Sequence, residues 1–220
     1  YSLYILYTLG PFIPCMSPDT IVIIDYGSQY THVIARRVRE LGVYSKVIPY
    51  TTSANEIASL DPKGIILSGG PNSVYEKGSP SIDPAVFELG IPVLGICYGL
   101  QLMAHVLGGQ VVKGTRHEYG AADVAIRQPG ELFKGLKQKT IQVWMSHGDQ
   151  VHTLPKGFVQ IAESPSTENC VAVDAKRKLY GIQFHPEVSH TPQGMTMLKN
   201  FVLGICSAKR EWKMADWIGQ

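Results

Sequence analysis

The sequence predicts an α/β fold, in which a doubly wound, mainly parallel sheet is flanked by helices and carries a small antiparallel excursion. In the first half of the chain, apolar runs rich in β-branched residues alternate with segments of helical periodicity. This alternation is typical of parallel strands joined by crossover helices. Between about residues 120 and 174 the apolar runs become shorter and helical patterns are scarce, which indicates antiparallel strands.

Four apolar runs in the first half are predicted to be the buried parallel strands. Strands covered on both faces carry apolar side chains at every position rather than at alternate positions. Ile34, Val38 and Leu41 recur at helical spacing after the first run, and Gly42 ends that helix. A second helical pattern covers residues 100–104. The four predicted strands are residues 20–24, 44–48, 64–67 and 92–96.

The second half is predicted to add four short strands, an apolar strand at residues 179–184 and a final helix over residues 193–203. The short strands either extend the same sheet or form a partly separate one. No internal repeat or low-complexity linker divides the chain, so one domain is predicted over residues 19–207. The four short strands are residues 122–126, 141–145, 158–162 and 171–173.

The composition is typical of a globular protein. Apolar residues make up 45% of the 220 residues and charged residues 17%, and a chain of this length can bury an ample core. The formal net charge of +2 is too small to indicate binding to nucleic acid. The four cysteines show neither metal-ligand spacing nor a dense disulfide framework. We therefore expect reduced thiols, no metal site and a cytoplasmic location.

Residues 1–18 are predicted to be an N-terminal extension outside the fold. They are apolar and aromatic, and Pro11 and Pro14 interrupt them. The segment lacks a basic start and a small-residue cleavage site, so it is a poor secretory signal. It is also short for a membrane span, and no membrane association is expected. Our hypothesis is that Met16 is the natural start of the chain.

A cysteine lies at the junction of a predicted strand and a predicted helix, in the segment Gly-Ile-Cys-Tyr-Gly at residues 95–99. A nucleophile at such an elbow needs a strained backbone and small neighbours, which the flanking glycines provide. The first turn of the helix directs free N–H groups and the positive end of the helix dipole at Cys97, and both favour a thiolate. The alternative is that Cys97 is a small apolar core residue.

A histidine and a glutamate follow the last predicted strand, in the segment His-Pro-Glu at residues 185–187. Residues two apart in an extended chain point to the same side. His185 can therefore meet the cysteine while Glu187 holds its imidazole, which is the logic of a Cys-His-Glu triad. A structural histidine near a strand end is the alternative. Together with Cys97, the pattern favours a catalytic site.

The polar and glycine-rich segments of the chain follow the predicted parallel strands. Residues 25–30 follow the first strand, residues 69–71 follow the third, Cys97 follows the fourth and His185 follows the last. Sites in open α/β sheets gather at the carboxyl ends of the strands. The positions of these segments therefore predict one shared site.

The segments around Cys97 and His185 resemble the two signatures of the class I (triad) glutamine amidotransferases. They read Gly-Ile-Cys-Tyr-Gly-Leu-Gln from residue 95 and Phe-His-Pro-Glu-Val from residue 184. Three further segments resemble the glutaminase domains of GMP synthetases more than those of anthranilate, aminodeoxychorismate or carbamoyl-phosphate synthases. They are Asp-Tyr-Gly-Ser-Gln-Tyr from residue 25, Ser-Gly-Gly-Pro-Asn-Ser-Val-Tyr from residue 68 and Trp-Met-Ser-His-Gly-Asp from residue 144. The resemblance spans about residues 20–206.

The resemblance implies a class I glutamine amidotransferase-like fold and hydrolysis of L-glutamine through a thioester. Cys97 would be the nucleophile, His185 the general base and acid, and Glu187 the residue that orients His185. The oxyanion would be stabilised by the backbone N–H groups of Gly70 and Tyr98.

Further residues are assigned to the substrate or to a partner by the same resemblance. Gln101, Ser146 and Gly148 would hold the glutamine. His147 and Asp149 either contribute to an interface with a synthetase domain or form an ordinary turn. His117 stands where arginine is typical. A histidine pairs less reliably than an arginine at neutral pH, so this position is not expected to form a reliable ion pair across an interface.

The ammonia is expected to pass to an ATP-pyrophosphatase domain that aminates XMP to GMP, as part of purine biosynthesis. This partner would be fused in cis or be a separate subunit, with residues 208–220 as the expected start of the linker. ATP and Mg are expected only on the partner, and no cofactor on the glutaminase domain, because no phosphate loop occurs here. The alternatives are a glutaminase serving anthranilate or aminodeoxychorismate synthesis and a non-catalytic docking module.

Overall fold

The computed structural model of the chain describes residues 18–213, apart from the side chains of residues 115–117. The predictions for Met16 and most of the N-terminal extension, for the side chain of His117 and for the chain after residue 213 lie outside the described residues. No helix among the described residues is long and apolar enough to cross a membrane.

Within the described part of the chain, nine strands form one sheet in the order β2-β1-β3-β4-β9-β8-β7-β5-β6. Strands β2, β1, β3, β4 and β9 run parallel to one another, and the remaining neighbours are antiparallel. The strands are β1 (Thr20–Asp25), β2 (Tyr44–Pro49), β3 (Gly64–Leu67), β4 (Val93–Ile96), β5 (Gln110–Ile126), β6 (Thr140–Thr153), β7 (Val159–Glu163), β8 (Val171–Asp174) and β9 (Leu179–Ile182).

Helices cover both faces of the parallel half, as the sequence predicts. They are α1 (Thr31–Glu40), α2 (Ala54–Ser59), α3 (Tyr98–Val106) and α4 (Gly194–Lys199). Helix α4 continues as a π-helical segment over Asn200–Ile205, so the predicted final helix is present but changes its hydrogen-bonding pattern at its midpoint. Short 3₁₀ turns cover Pro84–Glu88 and Glu131–Phe133.

The core consists of two apolar layers, one on each face of the sheet. Ile21 and Ile23 of β1 pack into the layer under α1 and α4. Val22 and Ile24 pack into the layer under α2 and α3. Alternate residues of one strand therefore serve opposite layers, which explains why residues 21–24 of β1 are all apolar.

The antiparallel part of the sheet is larger than the sequence indicates, and it continues the main sheet rather than forming a separate one. Strand β5 begins at Gln110 instead of residue 122, and β6 extends to Thr153 instead of ending at residue 145. The early part of β5 carries glycine and charged residues, and its register against β6 shifts between Lys113 and Glu118. Such a bulged, polar strand has no continuous apolar pattern.

Candidate active site

The segment between β4 and α3 forms a strained elbow with Cys97 at its tip. Cys97 has a φ of 52° and a ψ of −105°, in the left-handed half of conformational space that side chains rarely enter. Its backbone N–H donates to the carbonyl of Ile182 in β9 at 2.8 Å, which ties the elbow to the neighbouring strand. The thiol is buried and presented at the carboxyl end of the sheet.

The two glycines of the elbow allow helix α3 to lie against the sheet. A Cβ atom on Gly99 would lie 2.4 Å from the carbonyl oxygen of Leu67 in β3. A Cβ atom on Gly95 would lie 2.6 Å from the backbone of Gly99. Both distances are well inside van der Waals contact, so side chains here would push α3 and Cys97 away from β3 and β4.

His185 lies between Glu187 and Cys97. Its Nδ1 is 2.8 Å from Oε1 of Glu187, and both side chains are almost fully buried. Its ring also hydrogen-bonds to Cys97. Burial disfavours the imidazolium, but the hydrogen bonds with Cys97 and Glu187 outweigh burial and raise the pKa of His185 to about 10. These two partners therefore favour the cationic form of His185.

Helix α1 supports this arrangement from one side. The ring of Tyr30, at the start of α1, meets the ring of His185 edge to face with 5.0 Å between centroids. The guanidinium Nε of Arg37 donates to the backbone carbonyl of Glu187 at 3.0 Å. These contacts restrict the ring of His185 and the backbone of Glu187 before any substrate binds.

The residues expected to provide oxyanion donors lie next to the elbow. Tyr98 is the first residue of α3, so its N–H has no partner within the helix. Gly70 lies against Tyr98, because a Cβ atom at position 70 would be 3.3 Å from the Tyr98 ring and 2.8 Å from the carbonyl oxygen of Tyr26. A side chain at position 70 would therefore collide with its surroundings, and glycine keeps this backbone accessible.

An open cleft of about 610 Å³ lies over the elbow. Glu187 is absent from its lining because it lies behind His185. Most of the other predicted site residues line the cleft, namely Gly70, Cys97, Gln101, Ser146, Gly148 and His185. The structure thus brings the carboxyl ends of the parallel strands together with the middle of β6.

Gln101 is held by the protein itself rather than being a surface residue of α3. Its Nε2 donates to the backbone carbonyl of Asp149 at 2.8 Å and to Oε1 of Gln183 at 3.3 Å. The side-chain amide therefore joins α3 to β6. On the same strand, the backbone carbonyl of Ser146 accepts a weak hydrogen bond from Sγ of Cys97 at 3.7 Å.

His147 and Asp149 lie within strand β6, so their interpretation as an ordinary turn is wrong. Ile141, Val143 and Met145 are buried at alternate positions, and His147, Asp149 and Val151 continue that alternation. The period of two therefore runs through polar residues. This signal was available in the sequence, but the loss of apolar character after residue 145 concealed it.

The buried side chains of β6 form a second polar network beside the cleft. His147 places Nδ1 3.0 Å from the carbonyl oxygen of Asp149 and Nε2 3.0 Å from Oε2 of Glu118 in β5. The hydroxyl of Tyr75 donates to Oδ1 of Asp149 at 2.9 Å. Glu118 also accepts from the hydroxyls of Ser164, Ser166 and Thr167. Burial lowers the pKa of His147 below its ordinary value against the opposing charge of Glu118.

Within residues 18–213, the other ionisable and sulfur-containing side chains form neither a metal site nor a second site with a reactive thiol. No cluster of histidine, cysteine, aspartate or glutamate residues in this part of the chain has the geometry to hold a metal ion. Cys97, Cys170 and Cys206 are free thiols and all are buried. Burial raises the pKa of the Cys170 thiol well above its ordinary value, which makes that residue an unreactive core cysteine.

Comparison with known families and sequences gives a consistent match. The profile of the family described as glutamine amidotransferase class-I matches residues 22–205. The protein named GMP synthase (glutamine-hydrolyzing) of Emericella nidulans is 52% identical over 213 residues, which cover 94% of this chain and 40% of that protein. Its namesake in Geobacillus kaustophilus is 51% identical over 205 residues, covering 93% and 40%. The chain thus spans about 40% of the length of these curated relatives.

Solved structures show the same architecture. A protein of Thermoplasma acidophilum, provisionally named as one of the subunits of a GMP synthase, is 34% identical, with a TM-score of 0.78, and the match covers 87% of this chain and 95% of that one. A glutamine amidotransferase of Thermotoga maritima is 23% identical, with a TM-score of 0.62 and coverage of 88% and 87%, and supports the fold alone.

Proposed function

Because the chain belongs to the class I glutamine amidotransferase family, we propose that it is the glutaminase domain of a GMP synthetase. In this proposal it hydrolyses L-glutamine to glutamate and supplies ammonia for the amination of XMP. One observation carries the proposal: a buried histidine lies between a buried carboxylate and a cysteine on a strained elbow, at the floor of an open cleft.

The first half-reaction forms a thioester. The sulfur of Cys97 attacks the side-chain amide carbon of glutamine, and the thiol proton passes to His185. The C–N bond then breaks, and His185 returns the proton to the departing nitrogen, which leaves as ammonia. The contacts that raise the pKa of His185 stabilise the imidazolium formed when it takes the thiol proton, and this imidazolium is the donor to the departing nitrogen.

The second half-reaction releases glutamate. His185 removes a proton from a water molecule, the resulting hydroxide attacks the thioester carbon, and the C–S bond breaks to regenerate Cys97. Glu187 holds Nδ1 of His185 through the 2.8 Å contact and stabilises its cationic form in both half-reactions. The backbone N–H groups of Gly70 and Tyr98 would bind the oxyanion in each tetrahedral intermediate.

The cleft also offers groups for the amino-acid end of glutamine. The carboxylate of Asp149 lines the cleft and is oriented by Tyr75, so it can face the α-ammonium group of the substrate. Gln101 would use its remaining carbonyl oxygen, because its NH₂ group already binds Asp149 and Gln183. Ser146 and Gly148 would contribute backbone groups from β6. This assignment gives Asp149 a substrate-binding role instead of a role at an interface.

The ammonia would be used by an ATP-pyrophosphatase domain that binds ATP, Mg and XMP, located in cis or on a separate subunit. The shielded transfer is needed because bulk water protonates ammonia and removes its nucleophilicity. We assign the glutaminase domain to residues 19–207 and the following residues to the start of a linker. We place the reaction in the cytoplasm, where a nucleophilic thiol such as Cys97 stays reduced.

The decisive experiment is glutamate release from glutamine by the purified chain, with and without the synthetase part of the Geobacillus kaustophilus relative. Cys97→Ala is the test variant, and Cys170→Ala is the matched control because Cys170 is a buried cysteine of the core. We expect hydrolysis that requires Cys97, survives Cys170→Ala and increases with the synthetase part, ATP and XMP.

Each alternative function has its own outcome in the same experiment. Cys97-dependent hydrolysis that is unaffected by the XMP-aminating partner, but increases with a chorismate-aminating one, would replace GMP synthesis with the anthranilate or aminodeoxychorismate branch. Absence of Cys97-dependent hydrolysis under every condition would leave a docking module. Labelling of Cys97 by a glutamine-mimicking electrophile separates the docking module from both glutaminase alternatives without a partner, because a docking module needs no reactive thiol at that position.

A further inference from the structure

The catalytic histidine of the proposed mechanism follows β9 but is held by β6. The backbone N–H of His185 donates to the carbonyl of Trp144 at 3.0 Å. Two residues facing each other in a sheet can exchange two such hydrogen bonds, one in each direction. The second direct bond, from the N–H of Trp144 to the carbonyl of His185, is replaced by an indirect one.

A threonine hydroxyl takes the place of that second bond. The N–H of Trp144 donates to Oγ1 of Thr191 at 3.0 Å, and Oγ1 of Thr191 donates to the carbonyl of His185 at 2.7 Å. The hydroxyl thus bridges the two backbones, and both of its roles, as donor and as acceptor, are satisfied. Thr191 is 3% exposed, so water does not readily substitute for it.

The loop after Glu187 is folded so that Thr191 can make this bridge. The N–H of Thr191 donates to the carbonyl of Val188 at 3.1 Å, and the N–H of Gly194 donates to the carbonyl of Thr191 at 2.9 Å. A Cβ atom on Gly194 would lie 1.9 Å from the carbonyl oxygen of Pro186. The backbone at position 194 therefore passes closer to the His-Pro-Glu segment than a residue with a side chain would allow.

The same short stretch of β6 also contacts the nucleophile. Ser146, two residues after Trp144, accepts the hydrogen bond from Sγ of Cys97. A shift of His185 relative to Trp144 would therefore also be a shift relative to Cys97. Errors of about 1 Å between reacting groups can cost about a hundredfold in rate.

We propose that Thr191 is a positioning residue: its hydroxyl fixes the backbone of His185 against β6 and so keeps the imidazole in line with Cys97. This inference rests on the proposed function, since it assigns His185 the role of general base and acid. Thr191 itself does not touch the substrate or the reacting atoms.

The test compares Thr191→Val, which keeps the shape and removes the hydroxyl, with Thr191→Ser, which keeps the hydroxyl. Thr191→Val should lower kcat for glutamine hydrolysis about tenfold or more while KM changes less than about threefold. Thr191→Ser should restore kcat to within about threefold of the wild-type value. The control is Ser45→Ala, which removes another buried hydroxyl, bound to the carbonyl of Ala35 and remote from the cleft.

A second readout separates positioning from general stability. The imidazole of His185 is titrated by NMR, with its signal assigned from its loss in His185→Asn. In Thr191→Val the pKa of His185 should fall from about 10 toward the ordinary value of about 6.5, because its contacts with Cys97 and Glu187 loosen. Ser45→Ala should lower only the urea midpoint of unfolding and leave this titration unchanged.

Several results would overturn the inference. A Thr191→Val variant with wild-type kcat and a wild-type His185 titration would show that the bridge is dispensable. A Thr191→Ser variant as impaired as Thr191→Val would show that shape, not the hydroxyl, matters. If the wild type lacks Cys97-dependent hydrolysis, the proposed function fails, and the titration still decides whether Thr191 fixes the imidazole.

Discussion

The two halves of the sheet contribute to the cleft in different ways. The parallel half presents reactive side chains: Cys97 from the end of β4 and His185 from the segment after β9. The antiparallel half presents a wall of β6 backbone, which is held by the contact of His147 with Glu118 of β5 and by Gln101 of α3. In the proposed function, the reacting groups therefore lie where strands end, and the groups that would hold the glutamine lie where a strand passes by.

Each half contains a buried histidine next to a glutamate, and their pKa values are displaced in opposite directions. His185 has Glu187 and Cys97 as partners, and these outweigh its burial and raise its pKa to about 10. His147 has Glu118 and a backbone carbonyl, and burial prevails, so its pKa is lowered. In the proposed function, the first pair transfers protons, whereas the second supports the structure.

Replacing the glutamate of each pair by glutamine should affect glutamine hydrolysis differently, and the largest loss of kcat is expected at Glu187. Glu187→Gln keeps the shape but removes the charge that stabilises the cationic form of His185, so kcat should fall by about 10²–10⁴-fold with a small change in KM. Steady-state glutamate release measures both constants. A kcat within about threefold of the wild type would remove Glu187 from the triad.

The elbow of the parallel half should be intolerant of added volume. Gly99→Ala forces a Cβ atom to within 2.4 Å of the Leu67 carbonyl, so the free energy of unfolding should fall by about 1–3 kcal/mol. Because α3 carries Cys97 at its start, kcat should fall at least about tenfold as well. Urea unfolding and steady-state kinetics measure the two effects.

Gly204→Ala is the control for this substitution, because a Cβ atom there meets nothing within 4 Å. It should change the free energy of unfolding by less than about 1 kcal/mol and leave kcat at the wild-type value. Equal effects at positions 99 and 204 would mean that the close approach of α3 to β3 does not matter for the elbow.

The antiparallel wall should respond in KM rather than in kcat. Glu118→Gln weakens the contact that holds His147. Because His147 also contacts the carbonyl of Asp149, the substitution should disturb the part of β6 that would hold the glutamine. KM should rise about tenfold with kcat changed less than about threefold.

Glu163→Gln, which removes an ion pair with Arg127, is the matched control and should leave both constants unchanged. A kcat loss like that of Glu187→Gln would erase the proposed division between the halves.

The smallest expected effect is a difference in the acid dependence of stability. The unfolded chain protonates His147 near pH 6.5, at about the ordinary pKa, whereas the folded chain does so only at a lower pH. The unfolded state therefore binds more protons below pH 6.5, and stability falls as the pH falls through the lower folded pKa. The contribution reaches at most about 1.4 kcal/mol for each pH unit.

His185 has the opposite sign and a different window. Its raised pKa contributes stability that is fully present below about pH 6.5 and is lost as the pH rises through about 10. Urea unfolding between about pH 5 and 6 should thus isolate His147, and His147→Gln should flatten the acid slope relative to the wild type. An unchanged slope in that variant would mean that other groups govern stability in this range.

The parallel half of the fold, and the members of the candidate site within it, could be predicted without a structure. Apolar runs predict strands β1 to β4. The elbow and His-Pro-Glu segments identify Cys97, His185 and Glu187 as candidates, because these features depend on short-range spacing and backbone conformation. The structure brings these three residues together as expected, while their catalytic roles stay predictions that the kinetic variants test.

The antiparallel half depended on tertiary contacts. The extent of β5 and β6, the pairing of His147 with Glu118 and the contact of Tyr75 with Asp149 join residues that lie far apart in the chain. The bridge of Thr191 between Trp144 and His185 is of the same kind. Such contacts depend on the register of paired strands and on the path of a returning loop, and neither is encoded in the local pattern of any one segment.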